Sequence, residues 1–446
     1  MSSISVAKHK KEQVAFSYLF FFGSGASCFK FCREKLRFLR LGSHSPPGDR
    51  QARLSGVGRG NLRRRRIPLR FLIINFPLAF YPDLLYNKHN TTSEDLTMKI
   101  HSDYPGGNVT VLRIEDSVVY LQNELRDSTT DWFFWSFCVE GAEGRTLTFV
   151  FDKKWVGYYG AAVSTDYENW RWSETRTSPF SFTYTFSDSE SLVYFAHDMV
   201  YYTTNFNSFL SQNGIKSEVL CLSRAGREVP LIRLGNGERK IFLTSRHHAC
   251  ESTGTYVLTG FIKEYLKSPI ENTSLVVVPM VDYDGVVCGD QGKNRAPYDH
   301  NRDYTDSPIY PETAAIMSLA KQENAFFAID FHSPWHLGKQ NDYVFIVRKY
   351  DEKKPLFDRF GALLEKYCAE GGMKYFVRDD MMPNTSWNHD ETPTAATFFS
   401  SLPSCHLAFS LETTYFGTED NKVDTYKLDA EGRSVCHALN EYLSTL

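Results

Sequence analysis

No apolar run in this 446-residue chain is long enough to cross a bilayer. A spanning helix needs about 20 such residues. The longest candidates are residues 18–22 and a mostly apolar stretch at 68–81, so no stable membrane span is expected. A large positive charge is also missing. The formal balance is −3, which removes the bulk electrostatic case for nucleic acid as a partner. The nine cysteines include no Cys-x-x-Cys pair, so a thiolate zinc site of that spacing is excluded. An odd, scattered set of thiols fits a reducing compartment, and the cytoplasm is the expected location. Internal repeats and low-complexity tracts are absent as well.

The near-neutral total conceals an asymmetry. Residues 1–97 carry 17 Lys and Arg against 6 Asp and Glu, a surplus of 11 that leaves −14 for residues 98–446. This basic extension is expected to hold little stable structure. A run of arginines at 63–66 precedes the apolar block at 68–81, as in the basic and apolar regions of a secretory signal, but about sixty residues late. Two origins stay open, a targeting segment or a functional protein that starts at Met98.

What the chain does contain is His248 and Glu251, three residues apart, where an apolar run at Ile241, Phe242 and Leu243 meets a polar corner. Imidazole and carboxylate both suit Zn²⁺, and a catalytic zinc takes three protein ligands and one open position. The spacing alone arises easily by chance. A third donor is available in His332, which ends an apolar run at 326–331, although a lone histidine at such a place is as a rule a satisfied core residue. Asp330 and His336 are candidates to orient an imidazole. Another apolar run, 405–411, leads to Glu412, a carboxylate placed to be the general base of metal-assisted hydrolysis. Between these lie polar loops with Asp284, Gly285, Lys293, Arg295, Asn301 and Arg302. Arg302 beside Asn301 offers a planar fork and an amide for a carboxylate, and Arg295 is a nearby cation for an oxyanion.

Taken in order, His248-x-x-Glu251, Asp284-Gly285, Asn301-Arg302, His332 and Glu412 resemble the M14 zinc metallocarboxypeptidases. The segment from Glu412 to Gly417 is most similar to the cytosolic carboxypeptidase branch, which trims acidic C-termini. The resemblance implies that His248, Glu251 and His332 hold one Zn²⁺, and that Glu412 activates water. It further implies that Arg295 faces the oxyanion and that Asn301 and Arg302 clamp the substrate's terminal carboxylate. Lys293 stays open as an alternative to Arg295, because the loop before Asn301 is short. The mobile tyrosine common in the family has no assignable counterpart. Of the adjacent histidines only His248 has the ligand spacing, and Cys250 is read as a packing residue. The expected substrates are peptide or protein C-termini. A deacylase of small N-acyl amino acids on the same scaffold is the alternative, since it too would use Arg302.

Periodicity divides the rest. Residues 98–207 contain seven short alternating runs, at 109–114, 118–121, 132–139, 146–151, 161–165, 180–186 and 192–196, which predict an antiparallel β-sandwich. From 208 to 446, strand patterns at 218–222, 229–233, 240–244, 275–279, 325–330, 343–347 and 407–411 are interleaved with helical ones at 255–267, 311–322, 356–370 and 431–443. That alternation predicts an α/β catalytic domain with a mixed sheet flanked by helices, zinc-carboxypeptidase-like in the family reading.

Overall fold

The computed structural model describes residues 98–335 and 341–446. The basic extension 1–97 and His336 lie outside the described residues.

The first half is β-rich. Ten strands run as β1 Lys99–His101, β2 Thr110–Glu115, β3 Val118–Gln122, β4 Ser136–Glu140, β5 Thr146–Phe151, β6 Ala162–Ser164, β7 Arg171–Trp172, β8 Arg176–Ser178, β9 Ser181–Thr185 and β10 Leu192–Ala196. They form two five-stranded sheets, ordered β1-β4-β10-β6-β7 and β2-β3-β5-β9-β8. Inward residues of both sheets, among them Leu121, Phe137, Phe149, Phe182 and Phe195, share one apolar core. The expected antiparallel pattern is broken once, since β3 and β5 pair in parallel. Strands β1, β7 and β8 have only two or three residues, too few to show an alternation in sequence.

The second half is α/β. Its elements are α1 Thr203–Asn213, β11 Ser217–Leu222, β12 Glu228–Gly235, β13 Arg239–Ser245, α2 Ser252–Lys267, β14 Thr273–Val278, α3 Tyr283–Cys288, α4 Pro311–Gln322, β15 Phe327–His332, β16 Phe345–Val347, α5 Lys354–Cys368, α6 Ala395–Ser401, β17 Leu407–Glu412 and α7 Thr425–Leu443. The seven-stranded sheet has the order β11-β12-β14-β13-β15-β17-β16. Its centre is parallel and its margins antiparallel, so the mixed sheet is as expected.

Alternation along the central strands supplies both faces. Ile241, Leu243, Leu275, Val277, Ile329 and Phe409 face a core made with α2, α5 and α7. Phe242, Val276, Val278, Ala328 and Ala408 face a second core with α4 and α6. A strand buried on both sides reads as a continuous apolar run, which is why these segments stand out in sequence. Helices α1, α3 and α6 do not. Two of them are only six and seven residues long, and α1 buries only Phe206 and Phe209.

Helix α2 is the element that matters for the site, because Glu251 is its N-cap. It lies almost wholly buried against α7. The crossing is close because Gly260 of α2 faces Asp429 O and Gly432 of α7 faces Val257 O, where any side chain would meet backbone. Beside this crossing, the fully buried Glu431 accepts from Thr413 Oγ1 at 2.9 Å, while its other oxygen has no partner among the described residues. Burial pushes this carboxyl up to about 8, with the Thr413 bond opposing. A carboxyl whose folded pKa is raised binds more protons folded than unfolded, so its stabilisation is full below the unfolded value and is lost as pH rises through about 8. Glu431→Gln is therefore expected to unfold at a higher temperature than wild type at alkaline pH. The difference between the two proteins should shrink toward about pH 4, where both states of Glu431 are protonated, as followed by thermal melts across pH.

Candidate active site

The carboxyl ends of the parallel strands β13, β15 and β17 meet at one edge, and each delivers a polar side chain there. His332 closes β15 and stands opposite Glu412, which closes β17. His248 follows β13 through a sharp turn. Arg246 takes a left-handed conformation with φ 57°, a costly backbone for a residue with a Cβ. Its buried guanidinium secures the turn, with Nε donating to Ala249 O at 2.8 Å and Nη1 to Tyr201 O at 2.7 Å. The turn sends His247 and His248 apart, and only His248 reaches the cleft.

Glu251 holds the two predicted imidazole ligands together. His248 Nδ1 lies 2.9 Å from its Oε1, and His332 Nδ1 lies 2.7 Å from its Oε2. The ligand atoms of the three residues are all within 4.8 Å of one another, and all three side chains are buried. Each imidazole has a further carboxylate near its other nitrogen, Asp330 within hydrogen-bond reach and Asp299 just beyond it. Asp330 Oδ2 is 2.6 Å from His332 Nε2, and Asp299 Oδ1 is 3.7 Å from His248 Nε2. Such outer carboxylates orient metal-binding histidines and raise their basicity.

The electrostatics are those of a cation site. The Glu251 carboxyl is held well below its usual range. Burial pushes it up, but His248, Lys293 and His332 outweigh that. His332 is shifted well upward, since Asp330 and Glu251 overcome the opposing effect of burial. Two nitrogens and a carboxylate converging in a buried space that favours positive charge fit Zn²⁺, and a tetrahedral ion held by three protein donors keeps one open position. Beside them, burial pushes the Glu412 carboxyl up to about 7, and Glu251 adds to this while His332 and Lys293 oppose it.

The cleft in front of these groups has a volume of about 190 Å³. Asn301 and Arg302 both line it. The Asn301 oxygen accepts from Ala395 N at 2.9 Å, and its amide nitrogen lies 3.1 Å from His332 Nε2. Arg302 donates to Asn301 O at 2.8 Å and has no carboxylate partner among the described residues. Tryptophans 132, 335 and 387 form apolar walls, with Trp132 and Trp335 edge to face at 4.8 Å. No tyrosine lines the cleft among the described residues. Tyr375 and Tyr415 are buried in the core.

Arg295 departs from expectation. Its guanidinium points away from the cleft into a separate acidic pocket, where it pairs with Asp282 at 2.7 Å, Asp290 at 3.0 Å and Asp127 at 3.1 Å. The cation of this loop that reaches the cleft is Lys293, whose Nζ is 2.9 Å from Glu251 Oε1 and 5.3 Å from the centre of the Trp132 ring. Gly292, with φ 72°, packs against Ala249 N too tightly for a side chain, and this brings Lys293 over Glu251. Cys250 is buried, with Sγ 4.0 Å from Tyr415 OH, as a packing residue should be.

Lys349 is a cleft residue that no motif points to. It lies two residues beyond β16, yet it lines the cleft. Its Nζ donates to His389 O at 2.9 Å and has no carboxylate partner among the described residues. Burial lowers its pKa to about 8, Asp390 opposes and Arg302 adds to the lowering. The apolar run at 343–347 marks the strand, but nothing local shows that the lysine after it turns inward.

Comparison with known proteins identifies the family. Residues 212–336 match the family model described as zinc carboxypeptidase, and residues 100–197 match that of the cytosolic carboxypeptidase N-terminal domain. The chain belongs to the M14 zinc carboxypeptidases. It is similar to an uncharacterized protein of Zymomonas mobilis, 23% identical over 318 residues, covering 64% of this chain and 81% of that one. It is also similar to cytosolic carboxypeptidase 3 of Mus musculus, 28% identical over 305 residues, covering 59% of this chain and 29% of the relative. The chain thus spans under a third of the length of that curated relative.

Among solved structures, a metallo-carboxypeptidase from Burkholderia cenocepacia shares the fold, with TM-score 0.67 and 18% identity over 78% of this chain and 100% of the other. So does one from Pseudomonas aeruginosa in complex with (2-guanidinoethylmercapto)succinic acid, with TM-score 0.65 and 21% identity, covering 78% and 99%. No helix among the described residues is long and apolar enough to cross a membrane.

If His248, Glu251 and His332 are the zinc ligands, alanine in place of any one of them is expected to reduce bound zinc from about one per chain to near zero. Chelation of the wild type should lower its unfolding temperature, because metal binding is coupled to folding. Metal analysis of dialysed protein and thermal melts with and without chelator check both.

Proposed function

We propose that this chain is a zinc-dependent carboxypeptidase that removes an acidic residue from a peptide or protein C-terminus. Residues 98–207 are read as a β-sandwich domain and 208–446 as the catalytic domain. The observation that carries the proposal is the layout of the cleft. His248, His332 and Glu412 line one part of it. Two cations without carboxylate partners among the described residues, Arg302 and Lys349, line another. The relatives named cytosolic carboxypeptidases, and the free state of all seven described cysteines, support placement in the cytoplasm.

His248, Glu251 and His332 would hold the zinc. When bound, the ion acidifies a water molecule and polarises the scissile carbonyl. Glu412 takes the proton from the attacking water on a carboxylate oxygen and returns it to the departing amine. Lys293, in the place assigned from sequence to Arg295, stabilises the negative charge that develops on the carbonyl oxygen. Arg302 holds the terminal carboxylate by paired hydrogen bonds, and Asn301 sets the angle of that arginine through its own carbonyl. Lys349 meets an acidic side chain, and the tryptophan walls exclude water around both charges.

Glu412→Gln is expected to keep zinc and lose about 10²–10⁴-fold in kcat/KM on peptides. The base must be ionised, so kcat/KM should fall with acidification through the Glu412 pKa. That lies near 7 from burial and is drawn lower by the charge of a bound cation. Mass spectrometry of C-terminal peptide libraries measures both effects. Hydrolysis of N-acyl amino acids but not of peptides would replace this reading with the deacylase.

Lys349→Met should lower kcat/KM for terminal Glu or Asp by about 10²-fold, the scale of losing a hydrogen bond to a charged group, and leave apolar termini nearly unchanged. In the wild type, preference for acidic termini should decline as pH rises through about 8, where Lys349 loses its charge. Competition between two peptides that differ only in the last residue is the measurement.

A further inference from the structure

His247 has no part in the ligand set, and it is fully buried. It nevertheless sits in a closed network with one of the ligands. His247 Nδ1 is 2.8 Å from Asp330 Oδ1, and its Nε2 is 2.7 Å from Tyr304 OH. The other oxygen of Asp330 lies 2.6 Å from His332 Nε2, and Thr244 Oγ1 donates to Oδ1 at 2.7 Å. The two imidazole rings stand nearly parallel, 20° apart, with centroids at 5.8 Å.

Elementary donor counting gives this network a direction. An ionised carboxylate only accepts, so both His247 Nδ1 and His332 Nε2 carry their protons toward Asp330, and the Asn301 amide nitrogen 3.1 Å from that Nε2 is a neighbour and not a donor to it. A neutral His247 then has a bare Nε2, which the Tyr304 hydroxyl fills by donating. A neutral His332 likewise has its lone pair on Nδ1, the atom that faces Glu251. Tyr304 and His247 thereby hold Asp330 in place, and Asp330 holds the tautomer and ring angle of His332. Without His247, one oxygen of a buried carboxylate would lose a strong donor, and the carboxylate could rotate away from His332.

We propose that His247, held by Tyr304, is a positioning residue that tunes zinc affinity by fixing Asp330 against His332. This rests on the reading of His248, Glu251 and His332 as the zinc site and adds to it a support that the ligand motif does not contain. The full-length chain is loaded with zinc, its stoichiometry measured, and its affinity determined by chelator competition. Visible spectra of the cobalt-substituted protein report ligand geometry independently of activity.

His247→Leu should weaken zinc binding by about 10–100-fold, the range found for such supports, and shift the cobalt spectrum. His247→Asn, whose amide can still donate to Asp330, should recover most of the loss. Tyr304→Phe removes one hydroxyl and should show a smaller loss in the same direction.

Wild-type affinity in His247→Leu, even with a lowered unfolding temperature, overturns the inference and leaves the zinc site intact. If His247→Leu does not fold, Tyr304→Phe decides, and unchanged affinity there overturns the inference as well. A second zinc ion per wild-type chain that is lost in His247→Leu would make His247 a ligand, which also overturns it. No zinc in the wild type, or full zinc in His332→Ala, overturns the reading of the metal site itself.

Discussion

A single buried carboxylate, that of Glu251, imposes most of the local order. An ion removed from water costs several kcal/mol unless its oxygens are matched by donors or a metal. Here His248 and Lys293 approach one oxygen, and His332 and the Ser333 N–H approach the other. These partners come from separate segments of the chain. Satisfying one residue therefore fixes the turn after β13, the loop before Asn301 and the end of β15. The strained backbone at Arg246 is intelligible as a cost of that arrangement, and the left-handed turn at 292 as one that glycine makes without strain. Both lie close to a side chain that must face Glu251 or its ligands.

The charge distribution is governed just as locally. Residues 98–446 carry a formal surplus of negative charge, yet the cleft presents Arg302 and Lys349 without carboxylate partners among the described residues. Arg295, only two residues after Lys293, is instead surrounded by three aspartates. One short loop thus serves two pockets of opposite character. Because local partners at a few ångströms dominate over distant screened charge, the net balance of the chain does not decide what the cleft attracts.

Much of this arrangement is legible in the order of the amino acids. His248, Glu251, His332 and Glu412 lie at or just beyond the ends of apolar runs, and parallel strands bring such ends to one edge. The strands buried on both faces are equally clear. Orientation within loops is not. Nothing in the order Lys293-Asn294-Arg295 tells which cation turns inward, because that depends on Asp282 and Asp290 together with Asp127, far away in sequence. Lys349, Trp132 and Trp335 escape notice as wall residues for the same reason, whereas Trp387 lies in the polar segment 378–390, whose composition is that of an active-site loop. The parallel pairing of β3 with β5 is hidden because period-two alternation is identical in either direction. The short helices α3 and α6 have too few turns to show a period.

The glycine contact between α2 and α7 has a consequence for how the molecule is made. The N-cap of α2 is Glu251, yet α2 gains its close backbone neighbour only when residues 429–432 are available, far along the chain. Strand β17, which carries Glu412 beside His332, is also late. During vectorial synthesis the first motif therefore waits for the last helix, and closing so long a loop is slow relative to local helix formation. His248, Glu251 and His332 are thus framed together only once residues 407–432 have been made.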